Sequence, residues 1–300
     1  MERRLLSYNI KEVEPYINWL YFYYANGVGA ASGAVRGGKI SDFAVRGGKS
    51  EICSKISSDA NIDENSAANI DENSAPIEFG NIEDERRKLR EDAERMLEEF
   101  DRQYHTHAVV CMAEANGDGD DIVINTPQPV RLPMLRQQKP DPDSGYCLCL
   151  ADFLLPLESG KTDRIALFAA TVDAKTEYDD PYRRMLAQTL ADRLAEATVE
   201  KIHEEVREKD NFQGIRPAVG YPSMPDMSVN FILNDIIGMD DIGISLTESG
   251  MMRPHASVSG LMLHRPETRY FNIGNVGADQ LADYARRRNV DVADIKRFIK

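Results

Sequence analysis

The sequence predicts an α+β fold in which helices flank an antiparallel sheet. Strand-like apolar runs and amphipathic helical stretches both occur, and they do not follow the regular strand–helix–strand alternation that builds a parallel sheet. In addition, 42% of the 300 residues are hydrophobic, which is enough material for a substantial core. These observations favour a folded chain, built as one large domain or two modest ones.

The composition divides the chain into three regions. Residues 1–27 form an arm whose aromatic run "EVEPYINWLYFYY" must bury its rings as a helix or an extended segment. Residues 28–80 are rich in glycine, serine, asparagine and aspartate, and they contain two tandem repeats, "AVRGGK" and "ANIDENSA". These repeats are too short for a solenoid, so we expect a low-complexity insertion. Residues 81–300 form the main body.

The main body begins with a predicted helix and a predicted hairpin. The stretch "EDERRKLREDAERMLEEFDRQY" spaces its apolar residues at i, i+3 and i+4, as one face of a helix requires. The apolar positions are Leu89, Ala93, Met96, Leu97 and Phe100. The runs "AVVCMAE" and "DDIVIN" flank "ANGDG", which predicts a hairpin around an Asn-Gly turn.

Further strands and helices follow in order. "YCLCLADFLLP" and "DRIALFAATVD" are strand-like apolar runs. The longest predicted helix covers 179–210, with Asp179 or Asp180 as the cap and Pro181 in the first turn. We then expect a helix over "VNFILNDIIG", strands over "GISLTE", "ASVSGLMLH" and "RYFNIG", and two closing helices over "GADQLADYARRR" and "DVADIKRFI".

Charge and metal-ligand spacing exclude several classes of function. The net charge of -14 argues against nucleic acid or an anionic membrane as a partner. No run of about 20 apolar residues is present, and the four cysteines lack zinc-site spacing, so a cytoplasmic protein is expected. His105 and His107 are interpreted as a surface pair, and His203 as part of an exposed helix face. We expect no metal site.

The segment "GIRPAVGYPSMPD", here called the proline loop (residues 214–226), is the most informative stretch. Its three prolines make it stiff, and it holds a single arginine, Arg216. A guanidinium offers a planar fork that suits a carboxylate, while Gly220 allows close backbone approach. Two interpretations stay open from these residues alone. The loop either binds a small zwitterionic or nucleoside-like ligand, or is a rigid surface loop whose arginine pairs with a carboxylate elsewhere in the fold.

Several ordered motifs give the chain a specific family resemblance. The proline loop, with "LADRLAEA" before it and "LTESGMMRPHASVSG" after it, closely resembles the C-terminal activation domain of cobalamin-dependent methionine synthase. Further matching motifs are "YINW", "CLADFLLP", "SGKTD", "ADQLADYARRR" and "IKRFI". The resemblance covers residues 10–26 and about 82–300. It implies a C-shaped domain with a twisted antiparallel sheet that binds S-adenosylmethionine and presents its methyl group for reductive remethylation of cob(II)alamin.

The resemblance also implies the site residues. Arg216 would hold the carboxylate of S-adenosylmethionine, and Glu196 would lie near the sulfonium. The remaining expected binding residues are Ala218, Gly220, Tyr221, Tyr270, Phe271 and Asn18. Thr247 to Gly260 would face the corrin. Asn18 stands where better-known members carry an aspartate that binds the ligand's amino group, so weaker binding is expected. No side chain is expected to be catalytic.

The resemblance further implies what the chain needs from other proteins. No D-x-H-x-x-G string, which supplies the lower cobalt ligand in the family, occurs here, and homocysteine and folate modules are absent. We therefore expect action in trans on a cobalamin-carrying methionine synthase module, with a flavodoxin-like or other reductase. One alternative is a non-catalytic S-adenosylmethionine-binding or regulatory protein. Another is an autonomous methyltransferase, which is disfavoured because the sequence shows no general base or second substrate site.

Overall fold

The computed structural model describes residues 1–28, 79–142 and 144–299. A six-stranded antiparallel sheet forms its centre. Its strands are β1 (Glu2–Asn9), β2 (His105–Asp118), β3 (Asp121–Ile124), β4 (Val130–Pro133), β5 (Asp163–Val172) and β8 (Ser257–Leu263). They lie in the order β4-β3-β2-β5-β8, with β1 also paired to β2. A separate two-stranded sheet joins β6 (Ser245–Leu246) to β7 (Met252–Arg253). The α+β prediction with an antiparallel sheet is confirmed.

Helices cover both faces of the large sheet. On one face lie α1 (Ile10–Val13), α2 (Trp19–Ala25), α3 (Phe79–Asp101) and α4 (Pro181–Asp210). On the other lie α5 (Val229–Ile237), α6 (Ala278–Arg288) and α7 (Val292–Phe298). Strand β5 shows why both faces are covered: Ala166 and Phe168 pack with the first group, while Ile165 and Leu167 pack with the second.

The two long helices follow the sequence pattern. All five apolar positions predicted for α3 are buried. Helix α4 begins as predicted, because the Asp180 side chain accepts a hydrogen bond from the Arg183 amide at 2.7 Å and Pro181 takes the first helical position. This helix supplies the wall on which both the N-terminal arm and the proline loop rest.

The N-terminal arm contains a strand that the sequence pattern does not reveal. Strand β1 pairs with β2 along eight residues, although only Tyr8 is buried among its side chains. The Tyr8 hydroxyl donates to Glu205 of α4 at 2.9 Å, and of the rings that follow, Phe22 of α2 is fully buried while the others are partly buried. At the end of the arm, Arg86 of α3 donates to the Val28 carbonyl at 2.9 Å. Residues 29–78, including both repeats and Cys53, lie outside the described residues, so the insertion stays a prediction.

The predicted hairpin is present, but the predicted position of its turn is wrong. Asn116 and Gly117 lie inside β2, and the turn is formed by Gly119 and Asp120, with Gly119 at φ +60°. Gly117 is required for a different reason. A Cβ there would lie 2.4 Å from the Ala151 carbonyl oxygen, so this glycine allows close packing of two backbones.

Two predicted strands are absent from the described residues. "YCLCLADFLLP" is buried at Leu148, Cys149, Leu150, Ala151 and Leu154, but it forms a short 3₁₀ turn over Leu150–Phe153. The Asp152 side chain accepts the Cys149 amide at 2.9 Å, which closes that turn instead of a strand ladder. "RYFNIG" has no regular secondary structure. Its Ile273 amide bonds to the Pro222 carbonyl at 3.0 Å, which ties it to the proline loop.

Candidate functional site

Part of the proline loop extends the large sheet. Residues 215–219, here called the edge segment, run alongside β8. Three backbone hydrogen bonds join them: Leu263 to Ile215 at 2.9 Å, Leu261 to Pro217 at 3.0 Å, and Val219 to Ser259 at 2.9 Å. Pro217 contributes only its carbonyl, so its missing N–H costs no bond in this edge position. The prolines therefore shape a fixed edge of the sheet.

The register of the edge segment directs its side chains to two different faces. Ile215 and Val219 pack in the core beneath α5, whereas Ala218 packs in the core beneath α4. Arg216 points to the α4 side as well, because alternate residues of an extended chain share a face. Gly260 of β8 permits the close approach, since a Cβ there would lie 2.2 Å from the Pro217 carbonyl oxygen.

Arg216 is held both at its guanidinium and at its backbone. Its Nη1 lies 2.8 Å from Glu200 Oε2 and 3.4 Å from His203 Nδ1, both on α4. The Arg216 amide donates to the Tyr270 hydroxyl at 3.0 Å, and that hydroxyl donates to the Arg216 carbonyl at 3.1 Å. Burial lowers the pKa of Arg216, but Glu200, Tyr270 and Glu196 together more than offset it, so the pKa is raised and the guanidinium stays charged.

Tyr221 joins the proline loop to α4 at Glu196, one helical turn before Glu200. Gly220 adopts φ +85°, and a Cβ there would lie 2.6 Å from Met227 Sδ, so only glycine fits without displacing that side chain. The Tyr221 hydroxyl then donates to the Glu196 carboxylate. The charge of Glu196, together with burial, raises the pKa of Tyr221, which therefore remains a neutral donor.

A cleft of about 180 Å³ lies between α4, Tyr221 and the start of β8. Asp192 and Glu196 line it from α4, and His255 and Ser257 line it from the opposite side. Its volume is below the roughly 300 Å³ of a small enclosed ligand site, so it encloses only part of a nucleoside-sized molecule. Arg193 lines it as well, so the two carboxylates leave the lining with a net negative charge, which favours a cationic group at this position.

The other predicted site residues, Asn18, Tyr270 and Phe271, lie in three different surroundings. Asn18 is exposed and caps α2, where its Oδ1 accepts the Tyr21 amide at 3.3 Å. Burial raises the pKa of Tyr21, and the charges of Arg193 and Glu196 also act on it, so α2 lies beside the cleft wall. Phe271 is 3% exposed and packs in the core beneath α5, 6.1 Å from Phe153. Tyr270 therefore faces the edge segment, while Phe271 packs in a different core.

Glu200 and His203 are site residues that the sequence interpretation missed. His203 is not on an exposed helix face, because it contacts Arg216 and is largely covered. Burial, followed by the charge of Arg216, lowers its pKa to about 4. A signal was present: Glu196, Glu200 and His203 are spaced i, i+4 and i+7, which places them on one face of a helix.

Neither a metal cluster nor a membrane span emerges from the described residues. They contain no group of three or more histidine, cysteine, aspartate or glutamate side chains arranged to hold a metal ion. His105 is exposed, and His107 Nε2 lies 3.3 Å from Asp173 Oδ2, as a surface pair would. None of the helices in these ranges is both apolar enough and long enough to cross a bilayer.

Comparison with known proteins identifies the class of domain and then the family. The chain is similar to the crystal structure of the MetH reactivation domain bound to AdoHcy, with a TM-score of 0.73 and 28% sequence identity. The match covers 99% of this chain and 89% of that chain, so the fold is that of a reactivation domain. A family model described as vitamin B12 dependent methionine synthase, activation domain, matches residues 9–289. The chain belongs to this family, which implies a role in a methyltransferase enzyme.

Proposed function

We propose that the chain binds S-adenosylmethionine and presents its methyl group for reductive remethylation of cob(II)alamin carried by a partner protein. The supporting observation is the fixed position of Arg216. Its backbone is held by Tyr270, the residues on either side of it bond to β8, and its guanidinium lies against the same helix that lines the cleft. The related reactivation domain was crystallised with AdoHcy, the demethylated form of the same ligand.

The residues around the cleft fit the chemistry of S-adenosylmethionine, which carries a carboxylate, an ammonium and a sulfonium. Arg216 would bind the carboxylate through a planar fork. Glu196 would stabilise the sulfonium by its charge. The backbone of Ala218, Gly220 and Tyr221 would shape the pocket.

The adenosyl and ammonium ends of the ligand would be bound by residues outside the lining of the cleft. Tyr270 and Phe271 would lie on the adenosyl side, with Tyr270 placed towards the edge segment and Phe271 acting from the core behind it. Asn18 would accept a hydrogen bond from the ammonium while capping α2. Its neutral amide supplies no charge assistance, so the affinity is expected to be lower than with an aspartate.

The contribution of this chain to the reaction is binding and orientation. The bound S-adenosylmethionine supplies the methyl group, and cobalamin on the partner accepts it together with an electron from a reductase. The side chains described above hold the donor in one orientation, which removes translational and rotational freedom before the methyl transfer. No catalytic side chain is required of this chain.

The proposal includes the setting in which the chain acts. The partner is a cobalamin-carrying methionine synthase module in trans, and the electron donor is a flavodoxin-like or other reductase. The net charge of -14 opposes nucleic acid and anionic lipid as partners. A cytoplasmic location follows from the same proposal.

Two measurements test the proposed function in sequence. Isothermal titration calorimetry with S-adenosylmethionine and AdoHcy tests binding, with Arg216→Lys as the variant that keeps the charge but loses the fork. We expect wild-type binding and a loss of roughly tenfold or more in the variant. Absorbance spectroscopy with a cobalamin-carrying module and reductant then tests conversion of cob(II)alamin to methylcobalamin. No binding overturns the proposal, and binding without remethylation leaves the non-catalytic alternative.

A further inference from the structure

Helix α4 presents two acceptors to one nitrogen of Arg216. Glu200 Oε2 lies 2.8 Å and His203 Nδ1 lies 3.4 Å from Nη1. Nη1 carries two hydrogens, one for each of these two contacts. Nε and Nη2 form the other edge of the guanidinium, and that edge can bind a carboxylate side-on with two hydrogen bonds.

We propose that His203 is a positioning residue, which turns the Nε–Nη2 edge of Arg216 towards the carboxylate of the bound ligand. This inference rests on the proposed function, because it acts on the same site. Glu200 supplies one contact to Nη1, and its side chain is 43% exposed. His203, one turn further along α4, supplies the second fixed point.

The environment of His203 keeps the ring able to accept this hydrogen bond. A protonated imidazole has no acceptor nitrogen, so the role requires the neutral form. Burial and the positive charges of Arg216 and Arg207 lower the pKa of His203, while Glu200 and the backbone of Gly214 raise it. The net result is a pKa of about 4, so the ring is neutral at physiological pH.

The test compares two ligands that differ in the group Arg216 would bind. AdoHcy carries the amino-acid carboxylate, whereas 5′-methylthioadenosine carries the nucleoside and sulfur without it. His203→Leu removes the acceptor at similar volume, and His203→Asn places an amide oxygen near the position of Nδ1. We expect His203→Leu to weaken AdoHcy binding about tenfold and to leave 5′-methylthioadenosine within about twofold. His203→Asn should restore AdoHcy binding to within about threefold of wild type.

The outcomes separate this inference from the proposed function. Failure of the wild-type chain to bind AdoHcy overturns both. Unchanged AdoHcy affinity in His203→Leu, or an equal loss for both ligands, overturns the role of His203 alone. The exposed His105→Leu serves as the matched control and should bind both ligands as wild type does. If circular dichroism shows that His203→Leu is unfolded, His203→Gln replaces it, because its amide oxygen lies near Nε2 and should not restore the contact.

Discussion

Arg216 and Tyr270, 54 positions apart in the sequence, are joined by two hydrogen bonds through a single hydroxyl. The hydroxyl accepts the Arg216 amide at 3.0 Å and donates to the Arg216 carbonyl at 3.1 Å. Arg216 N–H and C=O point away from β8, which bonds instead to Ile215, Pro217 and Val219. Tyr270 therefore satisfies the backbone groups that the sheet leaves unpaired, and so holds the point from which the guanidinium extends.

Tyr270→Phe tests this relationship. The variant keeps the ring but leaves the Arg216 amide and carbonyl without a partner, so the free energy of unfolding should fall by about 1–3 kcal/mol. AdoHcy affinity should fall as well, because the backbone under Arg216 is no longer fixed. Urea unfolding and calorimetry measure the two effects. Tyr146→Phe, at a ring that is 74% exposed, should change neither quantity. Wild-type stability in Tyr270→Phe would show that the two bonds are not needed.

Gly260→Ala tests the close approach of β8 to the edge segment. The added Cβ would lie 2.2 Å from the Pro217 carbonyl oxygen and 2.8 Å from the Ala218 Cα, and neither backbone can move independently of the sheet. We expect a loss of about 3 kcal/mol or more in the free energy of unfolding, measured by urea denaturation.

Gly243→Ala is the control for the Gly260 substitution. Gly243 adopts φ +79° with nothing within 4 Å of the added Cβ, so it should cost only the backbone strain, about 1–2 kcal/mol. If both substitutions cost the same, the close contact of the edge segment with β8 does not determine the choice of glycine.

His203 should give the stability of the protein a defined pH dependence. Its pKa is about 4 in the folded protein against an ordinary value of 6.5, so the unfolded chain binds the proton more tightly between these values. The contribution of His203 to the free energy of unfolding is therefore fully present above about pH 6.5 and is lost as the pH falls towards 4. The loss is at most about 3 kcal/mol, which is 2.5 pH units at 1.36 kcal/mol each.

The measurement is urea unfolding of wild type and His203→Asn across pH 4–8. Other groups titrate in both proteins, so the difference between the two curves isolates His203. The difference in the free energy of unfolding between the two proteins should change with pH only between about pH 4 and 6.5. Parallel curves through this window would contradict a buried neutral histidine.

Asn18→Asp tests whether the N-terminal arm reaches the ligand. An aspartate caps a helix as well as an asparagine does, so α2 should keep its stability. The added charge should strengthen S-adenosylmethionine binding by about three- to tenfold, because a charge-assisted hydrogen bond to the ammonium is the stronger one. Calorimetry provides the measurement. Gln103→Glu adds the same charge at an exposed site and should leave the affinity unchanged; no gain in Asn18→Asp would contradict the assignment of Asn18.

Periodicity predicted most of the fold, and it failed where local hydrogen bonds determined the conformation. Helix α3 and strand β5 have strong apolar patterns, so their burial followed directly from spacing. Strand β1 escaped detection because its charged side chains stay exposed and pairing with β2 stabilises it. The Asn-Gly pair was assigned to a turn because the contact of Gly117 with Ala151 is distant in sequence and leaves no local signal.

The candidate site could be predicted only in part for a related reason. Proline and glycine spacing pointed to the loop around Arg216, and the family resemblance suggested its ligand. The loop's pairing with β8 depends on Gly260, 46 residues after Gly214, and no local pattern indicates it. Similarly, His203 has charged neighbours in sequence, which suggested an exposed face, while its pKa is lowered first by burial and then by the charge of Arg216, and the local sequence reveals neither.

The bond between Arg86 and the Val28 carbonyl brings together the two ends of the body where the intervening chain leaves and returns. The arm is anchored on its own by β1 and by the bond from Tyr8 to Glu205. A variant in which a flexible linker replaces residues 29–78 should therefore keep its fold, since closing a linker between two such ends costs only about 0.6 kcal/mol more for each doubling of its length.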